Sequence, residues 1–303
     1  MLHDHREIAD ERSSIPVAVV GTGRLARTLA RSLAAGNGEH RLLGVHGRRP
    51  GAVDALIEVA GVGRPLAADD VMGEADVVFL AVRDDALAEV AGVLAATGVA
   101  SLHDQLFVHG SGVCGLGPFE ALREGGRHFA TLHPLASLPE AGAATLAEVL
   151  VVCGGDAGAR AQTLALAAAL GARAAWSPDL DRPLYHAAAA LLANGLTALF
   201  ARGAALLEQA GGDTLAGAAQ ALMTSALKPL DGAAAEATLT GPVRRGDAAT
   251  VAVHRNALRC ADPSALALYD ALMREALEIS VRAGLDEGSA RAVRRALSDD
   301  PGP

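Results

Sequence analysis

The stretch IPVAVVGTGRLA, from Ile15 to Ala26, decides the fold of this chain. Its apolar run predicts a short buried strand that ends at a glycine-rich turn. Beyond the turn, Leu25, Leu29 and Leu33 recur at helical spacing, and Gly36 is a natural helix stop. The stretch therefore predicts a strand, a tight turn and a helix in direct succession.

This turn has the pattern GxGxxA, which is typical of dinucleotide-binding domains. The first glycine permits the turn, the second lets backbone amides approach a pyrophosphate, and Ala26 lets the helix pack closely on the strand. The amino end of a helix also favours an anion through its free amides and its dipole. The predicted cofactor contacts here are Gly21, Thr22, Gly23, Arg24 and Leu25. An ordinary strand–helix turn is the alternative.

A second predicted strand, 41–46, ends at Gly47, Arg48 and Arg49. NAD-binding domains usually place an acidic residue near this point, where it holds the ribose 2′-hydroxyl. Two arginines suit a 2′-phosphate instead, so the sequence favours NADP. A solvated basic turn would give the same pattern.

Strand-like and helix-like segments alternate as far as residue 178. Further strands are predicted at 75–82, 106–109, 129–133, 149–153 and 172–176, and helices at 83–96 and 157–170. Such alternation is typical of a doubly wound α/β domain, here a Rossmann domain over 15–178. Residues 1–14 are expected to form a disordered polar tail without the apolar core of a signal peptide.

No strand-like run follows residue 178, so residues 179–300 are predicted to form an all-α domain. Its helices are expected at about 183–209, 213–228, 247–258, 262–284 and 287–297. The stretch 187–207 is apolar nearly all round but is interrupted by Asn194, Thr197 and Arg202. We expect it to be buried between subunits or domains rather than to span a membrane.

In an open α/β sheet, ligands lie beyond the carboxyl ends of the strands. Residues at these ends are therefore candidates for the nicotinamide and substrate sites. Predicted cofactor contacts are Ala81, Val82, Arg83, His109 and Gly110, and predicted substrate contacts are Ser111, Gly112 and His133. Both histidines could instead be structural.

The first helix of the α domain carries His186, Ala190, Asn194 and Thr197 at spacings that form one stripe. A histidine can protonate a nascent alkoxide, and an amide can orient the carbonyl, so His186 and Asn194 are the catalytic candidates. The alternative is that both satisfy backbone groups at a helix–helix interface.

A polar loop, LTGPVRRGD, runs from Leu239 to Asp247, which is a natural helix cap. Its residues Thr240, Gly241, Pro242 and Arg245 could bind an anionic substrate or simply fix the turn. No metal-spaced cluster, HExxH, GxSxG or Walker loop occurs in the sequence, so no metal is predicted.

Composition also indicates which partners and which cellular compartment the protein has. The net charge of −9 argues against a nucleic-acid partner, because phosphate backbones are bound by clustered cations. Cys114, Cys153 and Cys260 are too few and too scattered for a disulfide framework, which fits a cytoplasmic protein. The lysine at position 228 is the single one in the chain.

Six phrases in order carry a resemblance to Rossmann-like proteins with a DUF2520-type C-terminal domain: VGTGRLA, LAVRDDALAEVA, HGSGVCGL, LHPLAS, DRPLYHAAAALLAN and TLTGPVRRGDAATV. The likeness spans about 16–297. That group is similar to the β-hydroxyacid dehydrogenases, ketopantoate reductases and pyrroline-5-carboxylate reductases, whose helical domain resembles that of 6-phosphogluconate dehydrogenase. The resemblance implies a nucleotide-binding domain, a dimerising helical domain and a site between them. Several of these relatives place a catalytic lysine on the first interdomain helix, where this chain has none.

The leading prediction is a cytoplasmic NADP-dependent oxidoreductase that reduces a C=O, or a C=N, of a small acid such as ketopantoate. It is expected to form a homodimer through the helical domain, with a small-molecule substrate and neither nucleic acid nor membrane as partner. A non-catalytic NADP sensor or scaffold is the main alternative, which the missing lysine favours. A deazaflavin-linked NADP oxidoreductase is a further one.

Overall fold

The computed structural model describes residues 14–99, 104–123, 125–138, 144–215 and 217–298. Of the predicted polar tail, residues 1–13 lie outside this part of the chain. The chain divides into two compact units between Asn194 and Gly195.

The first unit is built on one sheet of eight strands. The strands are β1 (Ile15–Val20), β2 (His40–His46), β3 (Arg64–Pro65), β4 (Val77–Leu80), β5 (Leu106–His109), β6 (His128–Pro134), β7 (Leu150–Gly155) and β8 (Arg173–Trp176). Their order is β3-β2-β1-β4-β5-β6-β7-β8. Neighbours pair in parallel except β6 and β7, which are antiparallel. The carboxyl ends of β1 to β6 therefore share one edge of the sheet.

Helices cover both faces of this sheet. They are α1 (Arg24–Ala35), α2 (Pro50–Ala60), α3 (Ala68–Glu74), α4 (Leu87–Ala95), α5 (Arg160–Ala169) and α6 (Arg182–Ala190). Alternate residues of β1 point to opposite faces. Val17 and Val19 join a buried cluster with residues of α1, α2 and α5, whereas Ala18 and Val20 join another with α3 and α4. The doubly wound α/β class is thus confirmed.

The second unit is helical. Its helices are α7 (Leu196–Gly211), α8 (Ala218–Leu227), α9 (Ala235–Thr238), α10 (Ala248–Ala261), α11 (Pro263–Arg282) and α12 (Glu287–Ser298). Val251, Leu277 and Val293 lie in its core. Beside them, Arg255 holds Asp270 through two hydrogen bonds of 2.9 and 3.1 Å between buried side chains. Each buried charge is thereby paired, which limits its desolvation cost.

The sheet ends at Trp176, close to the predicted domain boundary at 178, but the two units divide sixteen residues later, after Asn194. The reason is that α6 is bonded to β6. Arg182 donates to Thr131 at 2.5 Å, and Tyr185 lies 2.7 Å from His133. The first helix that follows the sheet therefore belongs to the first unit.

The predicted long helix over 183–209 is interrupted. A π-helical turn, Leu191–Gly195, separates α6 from α7. The whole segment Arg182–Leu215 is long and apolar enough to cross a membrane by length and composition, and its most apolar window is 0% buried. The same properties are expected of a helix whose apolar surface pairs with another protein chain.

Candidate nucleotide-binding and catalytic site

The glycine turn between β1 and α1 depends on one backbone conformation. Gly21 has φ of +123°, and its amide donates to the His46 carbonyl oxygen at 2.8 Å. A Cβ at this position would lie 2.4 Å from the Ala81 carbonyl oxygen. A Cβ on Gly23, in contrast, would meet no atom within 4 Å. Gly21 therefore shapes the turn, while Gly23 leaves open space in front of the helix.

A cavity of about 560 Å³ opens above this turn. Its walls are the glycine turn, the end of β2, the segment after β4 and one side of α4. Its lining is Val20, Gly21, Thr22, Gly23, His46, Gly47, Arg48, Arg49, Ala81, Val82, Arg83, Ala86, Glu89, Val90, Val93 and Leu94. Eight of the predicted cofactor residues are in this set.

The β2 side of the cavity is basic. Arg48 and Arg49 are exposed, and neither guanidinium has an ion-pair partner among the described residues. His46 donates from Nδ1 to the Leu66 carbonyl oxygen at 2.9 Å, which fixes the orientation of its ring. Within the lining, Glu89 on α4 is the acidic side chain. This side of the cavity therefore suits a phosphate better than an uncharged ribose hydroxyl.

Four predicted cofactor residues lie outside this lining. Arg24 and Leu25 form the first turn of α1, and Arg24 Nη1 reaches the Leu138 carbonyl oxygen at 3.5 Å. A Cβ on Gly110 would lie 2.2 Å from Leu25 Cδ2. Gly110 thus lets β5 and α1 pack together, which is a structural role.

His109 also has a structural role, and its predicted contact with cofactor stays a prediction. Its Nε2 donates to the Gly115 carbonyl oxygen at 2.9 Å, and its Nδ1 accepts from the Ser111 amide at 3.2 Å. Burial lowers the pKa of His109. A neutral ring with both nitrogens occupied holds the loop after β5 in place. Ser111 acts similarly, since its buried Oγ accepts from the amides of Val113 and Cys114.

Beyond β6, two predicted residues do come together. The His133 and His186 rings meet edge to face at 5.7 Å between centroids. A Cβ on Gly112 would lie 2.5 Å from His186 Nδ1 and 2.9 Å from His133 Nε2. Gly112 is therefore needed for the close approach of both rings to the loop after β5.

Tyr185 completes this group. Its hydroxyl and His133 Nδ1 are 2.7 Å apart. Burial, together with nearby His186, lowers the pKa of His133 to about 4, and burial raises the pKa of Tyr185. His133 is thus neutral at pH 7, and we assign the phenol as the donor because it is the stronger acid of the two. Of the paired histidines, His133 is poorly suited to supply a proton as an imidazolium.

A π-helical turn lies between His186 and Asn194 in the predicted stripe. Such an i→i+5 turn adds to the residues per turn, so the spacing of a regular α-helix does not fix how the two side chains are related. Asn194 is exposed near the end of this turn. π-turns often occur at functional sites, and the catalytic roles of His186 and Asn194 stay predictions.

The remaining predicted substrate residues belong to the second unit. Thr240, Gly241 and Pro242 precede a 3-10 turn, Val243–Arg245, and Gly241 has φ of +96°. Asp247 caps α10 by accepting from the Thr250 amide at 3.0 Å, as predicted. Roles for Thr240, Gly241, Pro242 and Arg245 in substrate binding stay predictions.

Sequence reasoning missed Arg182 and Thr131. Arg182 lies on the first turn of α6, and its Nη2 donates to the buried Thr131 Oγ1 at 2.5 Å. An arginine just after a helix cap looks like a surface residue in sequence, so the signal was weak. The available hint was its spacing of four residues from His186, which places both on one helix face.

No group of three or more His, Cys, Asp or Glu residues that could hold a metal ion occurs among the residues that the structure describes.

Two family models match the chain. Residues 16–109 match the coenzyme F420-dependent NADP oxidoreductases, and residues 149–276 match the domain of unknown function DUF2520. No curated protein matches the sequence.

Solved structures share the fold. The Bacteroides fragilis protein BF3122, described as an NADP oxidoreductase, has a TM-score of 0.72 at 21% identity over 88% of this chain and 99% of its own. Thermotoga maritima TM1727 has a TM-score of 0.70 at 23% identity over 87% and 99%. A Coxiella burnetii pyrroline-5-carboxylate reductase has a TM-score of 0.56 at 19% identity over 95% and 100%. These structures show a shared fold, and the two family models, to which residues 16–109 and 149–276 are similar, confirm the resemblance in the sequence.

Proposed function

We propose that this protein is an NADP(H)-dependent oxidoreductase that reduces a C=O, or a C=N, of a small acid, with a 2-oxo acid such as ketopantoate as the leading candidate. The observation that carries the proposal is the cavity above Gly21, which joins a glycine turn and a helix amino end to two unpaired arginines. When bound, the nicotinamide supplies the hydride.

The residues of the chain supply binding and a proton. The open space at Gly23 and the amide groups of α1 suit a pyrophosphate, and Arg48 and Arg49 suit a 2′-phosphate. His186, which lies against Gly112 beside His133, is the proposed proton donor to the reduced carbonyl oxygen. Ser111 contributes indirectly, because its side chain holds the loop after β5 in place.

Turnover is the direct test of this proposal. The purified protein is mixed with NADPH and each member of a panel of 2-oxo acids and cyclic imino acids, and absorbance at the nicotinamide band is followed. Steady, substrate-dependent oxidation of NADPH supports an enzyme. Tight NADPH binding without turnover on any substrate would support the sensor or scaffold alternative.

A second candidate function follows from the family model at residues 16–109, which describes coenzyme F420-dependent oxidoreductases. In that case a reduced deazaflavin would exchange hydride with NADP. The same assay with reduced F420 and NADP⁺ as the two substrates distinguishes it from carbonyl reduction.

We expect the protein to prefer NADP(H) over NAD(H). A guanidinium–phosphate contact contributes ~1.5–3 kcal/mol, or roughly ten- to a hundredfold in affinity. The double variant Arg48→Ala, Arg49→Ala should lose this factor for NADPH and leave NADH binding unchanged, as measured by calorimetry. Arg41→Ala is the matched control, because Arg41 is an exposed arginine on β2, the strand that precedes Arg48 and Arg49, and lies outside the cavity lining. Equal affinity of the wild type for both cofactors would contradict the assignment.

We further propose that the apolar helical segment pairs with the same segment of a second copy to form a homodimer. Leu191 and Leu192 are 75% and 77% exposed, which is unusual for adjacent leucines. Light scattering should show a dimer, and Leu191→Glu with Leu192→Glu should yield a monomer, whereas Val59→Glu on α2 should not. A wild-type monomer, or wild-type protein that partitions onto phosphatidylcholine vesicles, would contradict this proposal.

A further inference from the structure

Arg182 is half-buried, and its guanidinium packs against the sheet of the first unit. Its Nη2 donates to Thr131 Oγ1 at 2.5 Å, and Thr131 is fully buried. A Cβ on Gly154 would lie 2.9 Å from the same Nη2. The glycine at the end of β7 therefore makes room for this side chain against the sheet.

No protein anion balances this charge in the part of the chain that the structure describes. Its Nη1 is buried and has no hydrogen-bond partner there. The groups that act electrostatically on Arg182 are Tyr185, Cys114 and Cys153, rather than a carboxylate. Burial raises the pKa of Cys153 to about 12, so that thiol is neutral at pH 7. A guanidinium stays charged in proteins, and a buried cation with a free donor calls for an oxyanion.

The surroundings of Arg182 are those of the proposed reaction site. One helical turn further along α6 lie Tyr185 and His186, and both are in contact with His133. Residues four apart on a helix have Cβ atoms roughly 5–6 Å apart. The guanidinium and the proposed proton donor are thus one turn apart on the same helix face.

We infer that Arg182 binds the carboxylate of the substrate and that this carboxylate is directly bonded to the carbon that is reduced. The inference rests on the proposed function, which supplies the reduced carbon, and it narrows the substrate class to 2-oxo acids and 2-imino acids. This placement follows from the position of Arg182 and His186 one turn apart on α6, which puts the carboxylate and the reduced carbonyl close together in the substrate.

Binding of inert analogues tests this directly. Oxamate carries a carboxylate next to a carbonyl, oxamide is its neutral counterpart, and malonamate separates the two groups by one carbon. Each is titrated by calorimetry into the full-length protein saturated with NADP⁺. We expect oxamate to bind about ten- to a hundredfold more tightly than oxamide, as for a charge-assisted hydrogen bond. Malonamate should bind more weakly than oxamate.

Three variants test whether Arg182 causes the difference in affinity between oxamate and oxamide. Arg182→Gln should bind oxamate no better than oxamide. Arg182→Lys should recover part of the difference, since it restores the charge without the planar fork. Arg160→Gln, an exposed arginine at the start of α5, should behave as wild type. Melting curves and NADPH titrations of each variant show whether the fold and the nucleotide site are intact.

The outcomes separate the two proposals. Wild-type protein that binds NADPH but does not distinguish oxamate from oxamide overturns the role of Arg182 and leaves the oxidoreductase proposal standing. If Arg182→Gln binds oxamate as the wild type does, the role of Arg182 is likewise overturned and the oxidoreductase proposal stands. If Arg182→Gln is unfolded, Arg182→Lys is used instead, and the ratio of its affinities for oxamate and oxamide is compared with that of the wild type. Equal affinity for the two ligands, or a ratio as large as in the wild type, overturns the inference. Failure to bind NADPH overturns the proposed function itself.

Discussion

Gly21→Ala is expected to abolish NADPH binding and to destabilise the first unit by about 2–5 kcal/mol. Two independent reasons support a large effect. The φ of +123° at this position is strongly unfavourable for any residue with a side chain, and the new Cβ would lie 2.4 Å from the Ala81 carbonyl oxygen. Relief of that contact must move either the turn or the end of β4. Both movements change the wall of the nucleotide cavity.

Two neighbouring substitutions make this prediction specific. Gly23→Ala meets no atom within 4 Å, so it should leave the melting temperature unchanged and weaken NADPH binding by occupying the space in front of α1. Gly92→Ala lies within α4, where a Cβ is equally unhindered, and should stabilise the helix by about 0.5–1 kcal/mol. Chemical denaturation and NADPH titration measure both quantities. A Gly21→Ala protein that unfolds and binds NADPH like the wild type would show that the turn tolerates a side chain.

The fold could be predicted well where one pattern determines both the element and its position. The strand predicted at 106–109 is β5, residue for residue, because an apolar run is bounded by polar residues on both sides. The first helix begins and ends where its leucine spacing and Gly36 indicate. The region from α2 to α3 was not predicted. Within it, β3 has only two residues and α3 only seven, too few to show a periodic pattern, whereas α2 has eleven residues and was missed all the same.

The candidate site could be predicted only in part, since side-chain partners are fixed by the tertiary structure. His109 and His133 look alike in sequence, for each ends a strand and precedes a loop or turn. The structure shows that backbone groups occupy both nitrogens of His109, whereas His133 faces Tyr185 and His186. Likewise, the spacing of residues along a helix cannot reveal a π-turn. The position of Asn194 relative to His186 could therefore not be predicted from that spacing.

His186→Asn is expected to lower turnover by about 10²–10⁴-fold, the usual contribution of a general acid. The protonated imidazole would give its proton to the oxygen of the carbonyl as hydride arrives at the carbon. Asparagine keeps a polar, hydrogen-bonding group of similar size but cannot titrate. NADPH affinity should be almost unchanged, because His186 is not among the residues that line the nucleotide cavity.

The companion variant is His133→Asn. The pKa of His133 is lowered to about 4 by burial and by His186, so over pH 6–9 it stays neutral and cannot act as an imidazolium donor. The His133→Asn substitution should disturb the contact with Tyr185, and it should lower turnover less than His186→Asn does. Any decline of wild-type turnover with rising pH should persist in His133→Asn and vanish in His186→Asn. If His186→Asn retains wild-type turnover and pH profile, then His186 is structural, and the proton must come from water or from another group beside Gly112. Such a result would also remove the spacing argument that places the substrate carboxylate on Arg182 next to the reduced carbon, and it would leave the role of the glycine turn in place.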